Sequence, residues 1–248
     1  MPTLHLLGTG AAVADPHRTT TMLAFTDGGD TLVVDCGGDV VQRLLAAGID
    51  LNTISALIIT HEHPDHVSGF PLFMEKIWIA GRRKPIPVYG IKPALDQAKR
   101  CWECFDTTSW KDMPEIQWRF IDYEEGALVL DDPVWHVSAS PVVHPVPNVG
   151  LRVTHRPTGR SVAYSCDTEP VETVVHLAGK SDILVHEANG SMKGHTSPED
   201  AARIAARAET RRLLLVHVPP GIDRYDLTEA RNVFAATEVG EELGAYSF

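Results

Sequence analysis

The sequence is poor in cysteine, in long apolar runs and in basic clusters, and each shortage removes a class of protein. Four cysteines in 248 residues are too few for a disulfide framework, which suits a reducing compartment. No apolar stretch is long enough to span a bilayer, and Met1-Pro2-Thr3-Leu4-His5 does not open a secretory leader. A soluble cytoplasmic protein without a membrane partner is therefore expected. Lys and Arg number 22 against 33 Asp and Glu, a formal charge of −11. No basic cluster exceeds Arg82-Arg83-Lys84 or Arg211-Arg212. Binding of long nucleic acid rests on phosphate neutralisation, so this balance argues against such a partner. Repeats, linkers and low-complexity segments are also missing. A chain of this length buries about 70–75% of its unfolded surface, so a single domain over residues 1–248 is expected.

What is present is dense. The β-branched apolar run Ile54 to Ile59 reads as a buried strand, and Thr60-His61-Glu62-His63-Pro64-Asp65-His66 follows it directly. Loops at the carboxyl ends of strands are where α/β folds place chemistry. In an extended loop His61 and His63 project to one side, with Asp65 and His66 on the turn beyond. One surface histidine would call for no explanation, but three beside an aspartate suit a borderline-soft divalent metal, zinc first.

The motif H-x-H-x-D-H resembles the signature of the metallo-β-lactamase superfamily, and further matches follow in the family's order. His144 in Pro141-Val142-Val143-His144-Pro145, Asp167 in Tyr164-Ser165-Cys166-Asp167-Thr168 and His217 after Leu213-Leu214-Leu215-Val216 correspond to its other ligand positions. Asp35 corresponds to the acid that supports the metal loop. Leu7-Gly8-Thr9-Gly10, Asp35-Cys36-Gly37-Gly38, Leu184-Val185-His186-Glu187-Ala188 and Gly194-His195-Thr196-Ser197 are similar to the branch containing ribonuclease Z and related zinc phosphodiesterases. Asn189 and Gly190 depart from that branch's Thr-Phe, and Thr196-Ser197 reverses its Ser-Thr. The resemblance implies a four-layer αββα sandwich of the α/β (α+β) class. It also implies two Zn2+ ions (or Mn2+ or another divalent metal), with His61, His63 and His144 on one, Asp65, His66 and His217 on the other, and Asp167 bridging.

Local signals place the rest. Strands are expected over Leu4 to Leu7, Thr21 to Phe25, Thr31 to Val34, Trp135 to Ser140, Gly150 to Thr154 and Ser161 to Tyr164. Helices are expected over Val40 to Ala47, closed by Gly48, from about Ser68, and over Ala201 to Ala208. Ser197 caps the last, with Pro198 at its first position and Asp200 completing a capping-box-like pattern. His195 thus stands before a helix N-terminus, which favours a neutral imidazole, while Glu187 would favour the protonated one. His136, His155 and His176 read as structural, and Cys101 and Cys104 as packing residues. The tryptophan-rich stretch Trp102 to Trp118 is either a core-facing insertion or an aromatic rim or dimer contact over the cleft.

Two divalent ions suit hydrolysis of a small anionic substrate despite the acidic shell. His195, oriented by Glu187, is the candidate general acid, and Asp65 a candidate acceptor of the nucleophile's proton. The expected function is a binuclear zinc phosphodiesterase for small diesters such as cyclic nucleotides, working as a homodimer. The family's tRNA endonucleases carry a basic arm in the second half, and the short turn from His155 to Arg160 leaves no room for one. A ribonuclease Z-type tRNA 3′ endonuclease, a hydrolase of another ester such as an aryl sulfate or lactone, and a non-catalytic zinc scaffold remain alternatives.

Overall fold

The computed structural model describes residues 1–222 and 226–248. The first half of the chain alternates strands with helices. Strands β1 (Thr3–Gly8), β2 (Met22–Asp27) and β3 (Asp30–Val34) precede helix α1 (Val40–Ala46), and β4 (Ile54–Ile59) leads into α2 (Pro64–Val67) and α3 (Phe70–Ile79). Then come β5 (Ile86–Gly90), α4 (Lys92–Glu103) and β6 (Ile116–Phe120). The second half contributes β7 (Ala127–Asp131), β8 (Trp135–Val142), β9 (Asn148–His155), β10 (Ser161–Tyr164), α5 (Glu172–Ala178) and β11 (Ile183–Glu187). It closes with α6 (Pro198–Arg207), β12 (Leu213–Val216), α7 (Thr228–Val233), β13 (Thr237–Val239) and β14 (Ala245–Ser247).

These strands build two seven-stranded sheets, ordered β14-β1-β2-β3-β4-β5-β6 and β13-β12-β11-β10-β9-β8-β7. Period-two alternation decides which side chains fill the space between them. Leu214 and Val216 of β12 and Val185 of β11 join Phe25, Leu57 and Trp135 in the inter-sheet core. Leu213, Leu215 and Leu184 point the other way, onto a second cluster with Val174, Ala201 and Ala205 of α5 and α6. Helices α1, α3 and α4 cover the first sheet through Leu44, Phe73 and Leu95. The result is the expected αββα sandwich.

Within each sheet β3 to β6 and β10 to β13 run parallel. Their carboxyl ends therefore crowd one edge.

Several expectations need correction. Asp65 and His66 lie on the one-turn helix α2, so α3 starts at Phe70. Pro at the first helical position lets α6 begin at Pro198 and end at Arg207. Trp102 to Trp118 is no insertion: Trp102 closes α4, Trp118 lies on β6, and Trp110 between them stacks on Trp78 at 4.9 Å. Cys104 is exposed rather than packed. His176 lies on a helix but faces outward beside Glu125 and Glu172. His155 is structural, as expected: it ends β9, buried against Asp27.

Candidate metal centre

Three strands end in residues forced into the left-handed region: Asp35 after β3 (φ 62°), Cys166 after β10 (φ 51°) and His217 after β12 (φ 51°). Non-glycine residues are uncommon in that conformation, and here Cys166 and His217 bring donor atoms to the cluster while Asp35 lies behind the histidine loop.

Asp35 clamps both ends of the histidine loop. Its carboxylate accepts from the Thr60 backbone N–H (2.9 Å) and hydroxyl (3.0 Å), and from His66 Nδ1 (2.9 Å). That last bond fixes the tautomer and leaves Nε2 of His66 facing the cavity. Behind the loop runs Gly37, where a Cβ would stand 1.7 Å from the Asp65 carbonyl oxygen, so only glycine fits.

The resulting donor atoms fall into two groups. His61, His63 and His144 present ring nitrogens to one point, with His63 Nδ1 3.2 Å from His61 Nε2 and 3.1 Å from His144 Nε2. Asp65, His66, Asp167 and His217 form the second group. Asp167 joins them: its Oδ2 is 3.2 Å from His217 Nε2, 3.5 Å from His66 Nε2 and 4.0 Å from His61 Nε2. All seven expected ligands thus meet.

The chemistry of the donor set fits divalent ions. Among the described residues, the buried atoms His66 Nε2 and Asp167 Oδ1 find no hydrogen-bond partner, an arrangement that is expensive unless something else satisfies them. Burial holds His61 well below its ordinary range, lowers His144 and brings His217 to about 4. Those rings are neutral and ready to coordinate. Burial opposes charge on His66 too, but Asp167 and Asp35 outweigh it and hold its pKa well above the usual value. The cavity thus favours positive charge where the second group converges.

Beside this cluster stands His195, its ring 5.5 Å from that of His217 and 5.3 Å from that of His144. Nδ1 donates to Glu187 Oε1 at 3.0 Å. Glu187 also accepts from the backbone N–H groups of Thr168, Thr196 and Asn189. Burial pushes Glu187 up to about 7. For His195, burial lowers the pKa, yet the bond and charge of Glu187, with Asp167 and Asp65, prevail and raise it. The carboxylates therefore outweigh burial.

Other supports gave little sign in the sequence. Asn148 donates to the Asp167 carbonyl (2.8 Å), Glu169 accepts from Gly194 N–H (2.9 Å), and His144 Nδ1 donates to the Gly194 carbonyl (2.9 Å). Cys166 Sγ lies 3.6 Å from His61 Nδ1. Thr60, adjoining the histidine run, is the one support that position alone could have suggested. Glu62 points away, 3.9 Å from exposed Arg100.

Comparison with known proteins agrees with this geometry. The chain is 25% identical to ribonuclease Z of Methanothermobacter thermautotrophicus, covering 96% of this chain and 94% of that protein. Human tRNase Z, short form, shares its fold at a TM-score of 0.81 and 23% identity, with 99% and 98% of the two chains covered. A diphosphatase of the PhnP family does so at 0.77 and 18%, over 100% and 98%. The family model for the beta-lactamase superfamily domain matches residues 30–218, and the chain belongs to that family.

Proposed function

We propose that the protein is a binuclear zinc hydrolase of small phosphodiesters, cyclic nucleotides among them. Metal-dependent hydrolysis is the activity of its kind, and the observation that carries the finer reading is the pair of donor groups sharing Asp167 with the His195–Glu187 pair beside them. In this reading His61, His63 and His144 would hold one ion and Asp65, His66 and His217 the other, with Asp167 shared between the two groups. Manganese or another divalent ion suits the same donors. When bound, such a pair would supply Lewis acidity toward the phosphate and would lower the pKa of water toward neutrality.

The chain's own residues do the rest. Nδ1 of His195 is engaged by Glu187, so Nε2 is free to give its proton to the departing ester oxygen. Glu187 holds the ring's orientation and sustains its protonated form. Asp65 accepts the proton of the attacking water. Asp35 keeps the loop and His66 in place.

A second reading, tRNA 3′ processing, is favoured by the names of the relatives. Two observations weigh against it. The β9–β10 turn is short, His155 ending one strand and Ser161 starting the next. The alignment with the archaeal relative also extends over 299 positions against 248 residues here, so that relative carries insertions this chain lacks. Hydrolysis of an aryl sulfate or lactone is a third reading.

The reading also takes residues 1–248 as a single domain, active in the cytoplasm. Among the described residues no helix is long and apolar enough to cross a membrane. Homodimerisation belongs to the same reading, through the hollow lined by Leu72, Trp102, Phe105 and Trp110. Zinc-loaded protein should be incubated with cyclic nucleotides, an aryl phosphodiester, a lactone, an aryl sulfate and a precursor tRNA. Fastest turnover on the small diesters is expected. Higher kcat/KM on the precursor tRNA, the lactone or the sulfate would overturn the assignment.

A further inference from the structure

A second concavity of about 380 Å³ opens on the edge that carries the metal cluster. Its place follows from strand register. Ile59, Gly90 and Phe120 are aligned neighbours on parallel β4, β5 and β6. The segments that leave these strands, starting at Thr60, Ile91 and Ile121, therefore stand side by side. With neighbouring strands about 4.8 Å apart, β6 ends roughly 10 Å from the strand that feeds the histidine loop. The opposite sheet closes the hollow with Pro147, three residues beyond His144. The pocket thus lies on the same edge of the sandwich as the ligand cluster, two strands along from the histidine loop.

Its lining is aromatic with polar edges. Phe120 and Tyr123 are 58% and 51% exposed, and both face this hollow together with Pro147. Lys99 Nζ lies 5.2 Å from the centroid of the Phe120 ring, a cation–π contact that restrains the ring. Lys92, whose ammonium also pairs with Asp96, and Asp122 border the same space, one a donor and the other an acceptor. Flat rings stack on any base, and a donor–acceptor pair at the rim suits a base's polar edge.

We infer that this pocket seats the nucleobase of a nucleotide diester whose phosphorus lies at the metal cluster. The inference rests on the phosphodiester reading, which it makes more specific, with Phe120 and Tyr123 deciding preference among diesters. Two substrates with one leaving group test it: thymidine 5′-(p-nitrophenyl phosphate) and methyl p-nitrophenyl phosphate. Wild-type zinc-loaded protein should prefer the nucleoside diester, mainly through KM. In Phe120→Ala and Tyr123→Ala the ratio of the two kcat/KM values should fall about ten- to a hundredfold, the range expected for one lost stacking contact. Tyr123→Phe, which keeps the ring, should retain the preference. An unchanged ratio, or parallel loss on both substrates, overturns the inference.

A binding experiment separates failure of the pocket from failure of the hydrolase reading. Calorimetric titration of the zinc-loaded protein with AMP and with inorganic phosphate should show tighter binding of AMP, lost in both alanine variants. If wild type cleaves neither diester, the phosphodiesterase reading falls and this titration alone judges the pocket. AMP binding no tighter than phosphate would then overturn it.

Discussion

At the scale of single residues, His195 separates chemistry from metal binding. Its Nδ1 is engaged by Glu187, and with His144 and Asp167 it also forms a further set of donor atoms close enough together to hold an ion. As a general acid, His195→Ala should keep its metal content. It should lose about 10²–10⁴-fold in turnover on diesters with poor leaving groups, and much less on nitrophenyl esters. Loss of metal would make it a ligand instead. A second prediction concerns pH. Glu187 raises the pKa of His195, so the acid form persists above the ordinary histidine range and turnover should fall as pH rises through that raised value. Glu187→Gln removes the charge that raises it, and the alkaline limb of kcat/KM should move to lower pH. A limb that stays in place would mean that the two groups are not coupled in catalysis.

At the scale of elements, the histidine loop is held by its neighbours as much as by its own sequence. A methyl group at Gly37 would meet backbone at 1.7 Å, and no rotamer relieves such a contact. Gly37→Ala should therefore displace Asp65 and His66, lowering the thermal midpoint and emptying the second ion's position in elemental analysis. Asp35→Asn keeps the shape and removes the charge. It should weaken zinc affinity about 10–100-fold in a chelator competition while leaving the fold intact by circular dichroism. Unaltered affinity would show that Asp35 serves the fold alone. The loop itself was legible because a six-residue strand delivers four ligand-type side chains in one short run. His144 and His217 were placed only by resemblance, since each is a lone histidine after an apolar run. Asn148, Glu169 and the left-handed turns at Asp35, Cys166 and His217 were not legible. Their roles arise from contacts between distant segments, which local periodicity does not encode. The tryptophan-rich stretch left its alternatives open because its rings are spread over a helix end, a connection and an edge strand, with no single period to detect; Trp102 and Trp118 pack against the core.

At the scale of the whole molecule, the proposed centre predicts about two divalent ions per chain. Elemental analysis finding none after metal-replete expression, or a content unchanged in His61→Ala, would refute it. Because ions bound only to the folded state stabilise it by mass action, removing them with a chelator should lower the thermal midpoint, and restoring zinc should bring it back. The αββα layering was legible through the resemblance. The path of β14 was not, since a three-residue strand pairing with β1 across the whole chain leaves no local trace. The ligands span positions 61 to 217 and come from the ends of both sheets. Neither half of the chain can assemble the centre before the other has docked on it. This sets an order of events in time: contacts so distant in sequence form slowly, and zinc capture must wait for them. Trp135 reports that docking, since its indole N–H on the second sheet donates to Asp30 on the first at 2.8 Å. In refolding of a variant that keeps Trp135 and has the other four tryptophans replaced by Phe, its fluorescence should reach the native value no later than zinc is taken up, and a chelator present from the start should leave that phase unaltered.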